Sequence, residues 1–159
     1  MALRRRTRQF LLLGHITASV GWLGAEAVML VLDAAGLAGL DPRSVYPASA
    51  LTGTVLILPL SLLALTTGIL GALGSRWGLL RYWWVGTKLT LTTLMTVLVV
   101  LVLVPKVRAA GADPEALTGP DRLQLVIAPS VACSLLLFNT VLSVYRPWGR
   151  IRRQPARPS

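Results

Sequence analysis

The chain has 159 residues, of which 54% are hydrophobic and only 14% charged, and its mean hydropathy is +0.67. Those values exclude an ordinary soluble domain and describe an integral membrane protein. The net charge of +10 does not point to nucleic acid, because the basic residues fall in groups on alternate sides of a chain with four apolar runs.

The first run covers residues 10–32 and follows Arg4, Arg5, Arg6 and Arg8. From Phe10 to Asp33 a helix rising ~1.5 Å per residue spans ~35 Å, against a hydrocarbon core of ~30 Å. It holds the only histidine of the protein. At ~100° per residue, His15, Ser19, Trp22 and Glu26 fall within about 60° of one another, and Asp33 prolongs the stripe to the helix end. Polarity is costly in that setting, so the stripe points to a membrane-embedded site. The basic start resembles a secretory signal, but the run is too long, contains Trp22 and Glu26, and shows no small-residue cleavage site, so an uncleaved first helix is expected.

The connection 34–49 carries Gly36, Gly39, Asp41-Pro42 and Pro47, a composition that suits a short external loop. In the second run, 50–73, Pro59 removes a backbone hydrogen bond and is expected to kink the helix near 55–59. Ala64, Gly68 and Ala72 form a small-residue ridge that allows close helix contact. Thr66 and Thr67 beside it are expected to bond backbone carbonyls or a neighbouring helix. The turn 75–81 is short, and Trp77, Tyr82, Trp83 and Trp84 cluster there as an aromatic belt.

The third run, 82–104, presents Lys88 and then Thr90, Thr92, Thr93 and Thr96. Lys88 lies ~9 Å into its helix and His15 ~7.5 Å into the first, counted from the same side. Their shared depth predicts one cavity lined by His15, Ser19, Trp22 and Lys88, with snorkelling to the headgroups as the competing role for Lys88. Glu26 lies ~16 Å further along than His15. Pairing with Lys88 is therefore not expected; Glu26 is expected to be protonated or reached by water from the opposite side. In the loop 106–122, Asp113-Pro114-Glu115 reads as the N-cap and first turn of a short surface helix. The fourth run, 123–144, contains Pro129, Ser130, Ser134, Asn139 and the sole cysteine, Cys133, which rules out an intramolecular disulfide and suits packing.

These runs predict an all-α membrane protein: one domain, residues 1–159, folded as a four-transmembrane-helix bundle. Arg4, Arg5, Arg6, Arg8, Arg76, Arg81, Arg146, Arg150, Arg152, Arg153 and Arg157 share one side. The other side sets Arg43, Lys106, Arg108 and Arg122 against Asp33, Asp41, Asp113, Glu115 and Asp121. The positive-inside rule then places both termini in the cytoplasm. The basic tails are expected to rest on anionic lipid at ~1 kcal/mol per cation, and a homodimer suits so small a chain.

Ordinary catalytic constellations are missing: there is no HExxH, CxxC, GxSxG or P-loop sequence, and one histidine cannot close a zinc site within the chain. Met29 and Met95, the only internal methionines, are a thin thioether supply for copper(I). Haem is easier to accommodate, since one axial imidazole plus a second ligand, or a second histidine from a symmetry mate, suffices.

The segment His15-Ile-Thr-Ala-Ser-Val-Gly-Trp22-Leu-Gly24-Ala resembles the first-helix signature of copper-resistance D proteins and, more loosely, of HemJ-type protoporphyrinogen oxidases. The segment Gly74-Ser-Arg76-Trp77-Gly78-Leu-Leu-Arg81-Tyr-Trp-Trp84-Val-Gly-Thr-Lys88-Leu is similar to their short cytoplasmic turn and the helix with an early lysine. An uncharacterised family of small bacterial four-helix membrane proteins carries both signatures. The resemblance covers roughly residues 11–104. It implies a bacterial inner-membrane location, a b-type haem with His15 as axial ligand, and Lys88 as its partner or as a proton or propionate contact. The chain departs from the HemJ-type pattern in having no further histidine, and from copper-resistance D proteins in being short and poor in methionine.

Three functional expectations follow. One is a haem-b-binding redox protein or an oxidoreductase related to porphyrin metabolism. Another is a small copper, ion or solute transport component using Glu26 and the fourth-helix hydroxyls. The third is a non-enzymatic assembly partner of a membrane complex.

Overall fold

A computed structural model describes residues 5–73 and 83–145, and the regular elements among them are all helices. Helix α1 is Arg5–Leu37. Helix α2, Pro42–Leu51, continues through a π-helical segment, Thr52–Ile57, into α3, Leu58–Leu73. Helix α4, Trp83–Leu98, continues through a second π-helical segment, Val99–Leu103, into α5, Val104–Ala112, and α6 is Gly119–Tyr145. The result is four continuous helices long and apolar enough to cross a membrane, Arg6–Leu37, Pro42–Leu73, Trp83–Ala112 and Gly119–Tyr145. The turns 38–41 and 113–118 lie at one end of the bundle, here the far end; Arg5 and Tyr145 lie at the near end. The expected turn 75–81 and Tyr82, with Arg76, Trp77 and Arg81, lies outside the described residues, as do Arg4 and the arginines beyond Tyr145.

Both connections differ from the sequence expectation. Most of 34–49 is helical, because its glycine and proline are stop and start signals packed into a very short turn. Gly39, at φ 102°, ends α1 in the left-handed region, with Leu40 N–H donating to Ala35 O at 3.0 Å and Gly39 N–H to Gly36 O at 3.3 Å. That pair of bonds is a Schellman stop. Two residues later Asp41 caps α2, accepting from Arg43 N–H at 3.2 Å and from the Ser44 hydroxyl at 2.8 Å, with Pro42 at the first helical position. Asp113-Pro114-Glu115, in contrast, starts no helix. α5 runs past Pro105 to Ala112, and 113–118 is a turn in which Asp113 Oδ1 accepts from Ala116 N–H. The start signal used is Thr118 with Asp121, whose carboxylate accepts both the Thr118 N–H and its hydroxyl ahead of α6.

Pro59 and Pro105 share one solution. A proline inside a helix lacks a donor and its ring crowds the carbonyl four residues back. Those carbonyls belong to Val55 and Leu101, and each lies in a π-helical segment, whose wider turn makes room for the ring. The disturbance expected at 55–59 therefore takes the form of a widened turn.

Helix α1 is the centre of the bundle, packing against α2, α3 and α6. Its buried stripe, Ala18, Trp22, Ala25 and Met29, meets Tyr46, Ile57, Ala64, Met95, Leu125 and Leu136 in one core. Large side chains such as Phe10, Leu13, Val20 and Val31 remain exposed on the other faces, as suits helices bathed in lipid, where burying apolar surface against protein brings little advantage over lipid and close packing decides the interfaces. Gly111 is one such approach: a Cβ there would stand 2.7 Å from Ala50 Cβ and 3.3 Å from Tyr46 O.

The α2 cap lies outside the apolar helices and titrates. The Ser44 hydroxyl and then the Arg43 N–H hold the Asp41 carboxyl below its ordinary value. A carboxylate depressed by folding contributes stability above its unfolded pKa and loses it as pH falls through the folded value. Asp41→Ala is therefore expected to lower the thermal midpoint in detergent at neutral pH. The difference from wild type should begin to shrink as the pH falls below the ordinary aspartate value of about 3.9 and close only below the still lower folded value, and a difference that stayed at full size there would exclude a charge-dependent cap.

Candidate functional site

Helices α1, α3 and α4 line a half-open cavity of about 440 Å³ in the near half of the bundle, within the ~300–1,000 Å³ typical of small-molecule and cofactor sites. His15 and Lys88 both line it, as do Arg8, Thr67, Gly68 and Trp84. Ser19 and Trp22 do not. Ser19 is half-buried on α1, and Trp22, 1% exposed, turns toward the middle of the bundle, where its Nε1–H donates to Glu26 Oε1 at 3.0 Å. The four-residue lining expected from the stripe is thus split, because a helix advances as well as turns: Trp22 is two turns above His15 on the same face and beyond the cavity.

The imidazole is held from α3. His15 Nδ1 lies 2.9 Å from Ala64 O and 3.3 Å from Thr67 Oγ1. A carbonyl only accepts, so Nδ1 carries the proton in that bond and Nε2 keeps its lone pair. The Thr67 hydroxyl is committed to Leu63 O at 2.5 Å. The small-residue ridge makes this contact: Ala64 is buried, and a Cβ on Gly68 would come within 3.1 Å of His15 Cε1. Gly71, also in the lining, has nothing within 4 Å of where its Cβ would be, so open space adjoins the wall there.

Lys88 is half-buried and its Nζ donates to Ser143 Oγ on α6. Thr92, one turn further, accepts from Asn139 Nδ2 at 3.0 Å, which ties α4 to α6. Thr87 and Thr96 bond carbonyls of their own helix. The lining has three basic side chains, Arg8, His15 and Lys88, and no carboxylate among the described residues; the rest is mostly aliphatic, aromatic or small. Such a surface suits a largely apolar anion.

Arg8 and Gly71 are additions to the sequence reading, in which Gly68 figures only as part of the packing ridge. Arg8 is seven residues before His15, two turns away on the same face of α1, and that spacing was the available signal. Glu26 stands apart from this cavity. It lines a second one of about 290 Å³, with Lys106 and Gln124 also in its wall. Among the described residues no group of three or more histidine, cysteine, aspartate or glutamate side chains is placed to hold a metal ion. Comparison of the chain with family models, with curated proteins and with solved structures gives no match in any of the three.

Proposed function

We propose that this protein is a membrane-embedded, b-type haem-binding redox protein, with His15 as an axial ligand and with Arg8 and Lys88 as cationic partners of the propionates. The observation that carries the reading is the His15 imidazole. Its Nδ1 is tied to the Ala64 carbonyl, the support that metal-bound histidines commonly receive through their other nitrogen, and it lines a mostly apolar cavity with two further cations and, among the described residues, no acid. Bound haem would supply one-electron chemistry at its iron. The chain's own contribution is to orient the imidazole, to neutralise carboxylates at the near end, and to exclude water with the aliphatic lining. No sulfur or second imidazole lines the cavity among the described residues, so one chain offers one strong axial ligand, and a second copy is the route to another.

The same reading places the near end and both termini on the cytoplasmic side of a bacterial inner membrane, where the basic tails meet anionic lipid. The resemblance of residues 15–25 and 74–89 to copper-resistance D and HemJ-type proteins supports it, including a role in porphyrin metabolism. Haem titration of detergent-purified protein is the test. A Soret band should appear with wild type and vanish with His15→Ala. Arg8→Gln and Lys88→Met should each weaken binding about tenfold, as loss of one hydrogen bond to a charged group does. No band in wild type, or an unchanged band in His15→Ala, overturns the proposal.

A further inference from the structure

Among the described residues, seven buried side-chain atoms lack a hydrogen-bond partner, and five of them lie toward the far end on Asp33, Tyr46, Ser49 and Arg122. Asp33 and Tyr46 are 0% exposed and Ser49 is 2% exposed. The residues form a cluster. On α1, Asp33 and Gly36 are one turn apart; on α2, Tyr46 and Ser49 are too. The Tyr46 ring presses on Gly36, whose Cβ would stand 2.8 Å from the phenol oxygen. Ser49 is within side-chain interaction range of Asp33, yet neither group is in a hydrogen bond of acceptable geometry. The Arg122 guanidinium lies 5.9 Å from the Tyr46 ring centroid. Two turns below Asp33 on the same face, Glu26 is 1% exposed, and its Oε2 is also unpartnered.

A carboxylate enclosed in this way cannot remain a bare anion at acceptable cost. Two occupants relieve it, a hard cation or a proton. A cation would find four side-chain oxygens, the two of Asp33 and those of Ser49 and Tyr46, where hard ions commonly take six or more, and the nearby guanidinium opposes it. A proton turns the acceptor-only carboxylate into a group that also donates. It can then bond Ser49 or Tyr46, each of which can donate in turn.

We propose that Asp33 and Glu26 are two stations of a proton-exchange path entering from the far end of the bundle, with the Ser49 and Tyr46 hydroxyls relaying protons to Asp33. The stations are ~10.5 Å apart along α1, a gap that this path requires internal water to bridge. Glu26 has a second approach through its cavity, whose wall includes the Lys106–Gln124 pair, bonded at 2.6 Å. The titratable and charged groups acting on the path are Tyr46 on α2, Lys106 on α5, and Arg122 and Cys133 on α6. α3 carries no acid or base, and α4 carries only Lys88, which lies in the other half. The path does not depend on haem.

Infrared difference spectroscopy of the haem-free protein in lipid nanodiscs tests this proposal separately from the haem reading. Protonated carboxylic C=O bands should be present, shift on transfer to D2O and change amplitude over a pH titration. Asp33→Asn should remove one component and Glu26→Gln the other, while Tyr46→Phe should slow deuterium exchange of the Asp33 component. If Asp33→Asn fails to fold, isotope-labelled aspartate in the wild-type chain identifies its component, since Asp41, Asp113 and Asp121 are exposed. Absence of carboxylic bands, bands that neither exchange nor titrate, or their removal by sodium ions would each overturn the proposal, the last in favour of a cation site.

Discussion

Trp22→Ala is expected to lower the stability of the bundle in detergent by about 3 kcal/mol. Trp22 is 1% exposed and lies in the core with Ala18, Ala25 and Met29. In a lipid-like surrounding the transfer part of that cost shrinks, because detergent and lipid tails are as apolar as the core, and what remains is the lost packing around the vacated volume. The substitution also strips Glu26 of its one hydrogen bond. Trp22→Phe separates the two contributions: it keeps most of the volume and leaves Glu26 without a partner, for about 1–3 kcal/mol. Trp22→Phe combined with Glu26→Leu should recover much of that loss, because replacing both partners removes the unsatisfied group. Thermal midpoints of the three variants decide the matter, and a neutral Trp22→Phe would show that the indole stabilises by packing alone.

Gly111→Val is the second large effect. A single Cβ at this position already meets Ala50 Cβ at 2.7 Å, with the Tyr46 carbonyl and Pro47 Cα at 3.3 and 3.4 Å. Two of those three atoms are backbone and cannot rotate away, so α2 and α5 must separate. Overpacking of this kind costs about 1–3 kcal/mol for the smaller Gly111→Ala and more for valine, against which alanine regains up to about 1 kcal/mol of helix propensity. Gly24→Ala is the control. Nothing lies within 4 Å of its Cβ position, so only the propensity gain acts and the thermal midpoint should hold or rise. Equal effects at the two positions would exclude close helix approach as the reason for Gly111.

The four long helices were legible in the amino-acid order, because apolar runs of this length have few other solutions in lipid. Their ends were not. Gly39-Leu40-Asp41-Pro42 reads as loop by composition, whereas its hydrogen bonds stop one helix and start the next within a single turn. Asp113-Pro114 reads as a helix start, but Thr118 with Asp121 holds that position. Signals of this sort are too frequent for composition to choose among them, and the backbone bonds that choose depend on where the neighbouring helices lie.

The site divides along the same line. Periodicity by itself determined that His15, Trp22, Glu26 and Asp33 share one face of α1, and depth counting brought His15 and Lys88 to one level, where they do line one cavity. Only the tertiary structure decided what stands opposite each of them. Ala64 and Gly68 face His15, the Trp22 indole bonds Glu26, and Tyr46 and Ser49 enclose Asp33. A helix sequence specifies direction and rise, but the partner across an interface depends on rotation and shift between helices. In a membrane those are settled by close packing of small residues and by the few polar groups that must be satisfied.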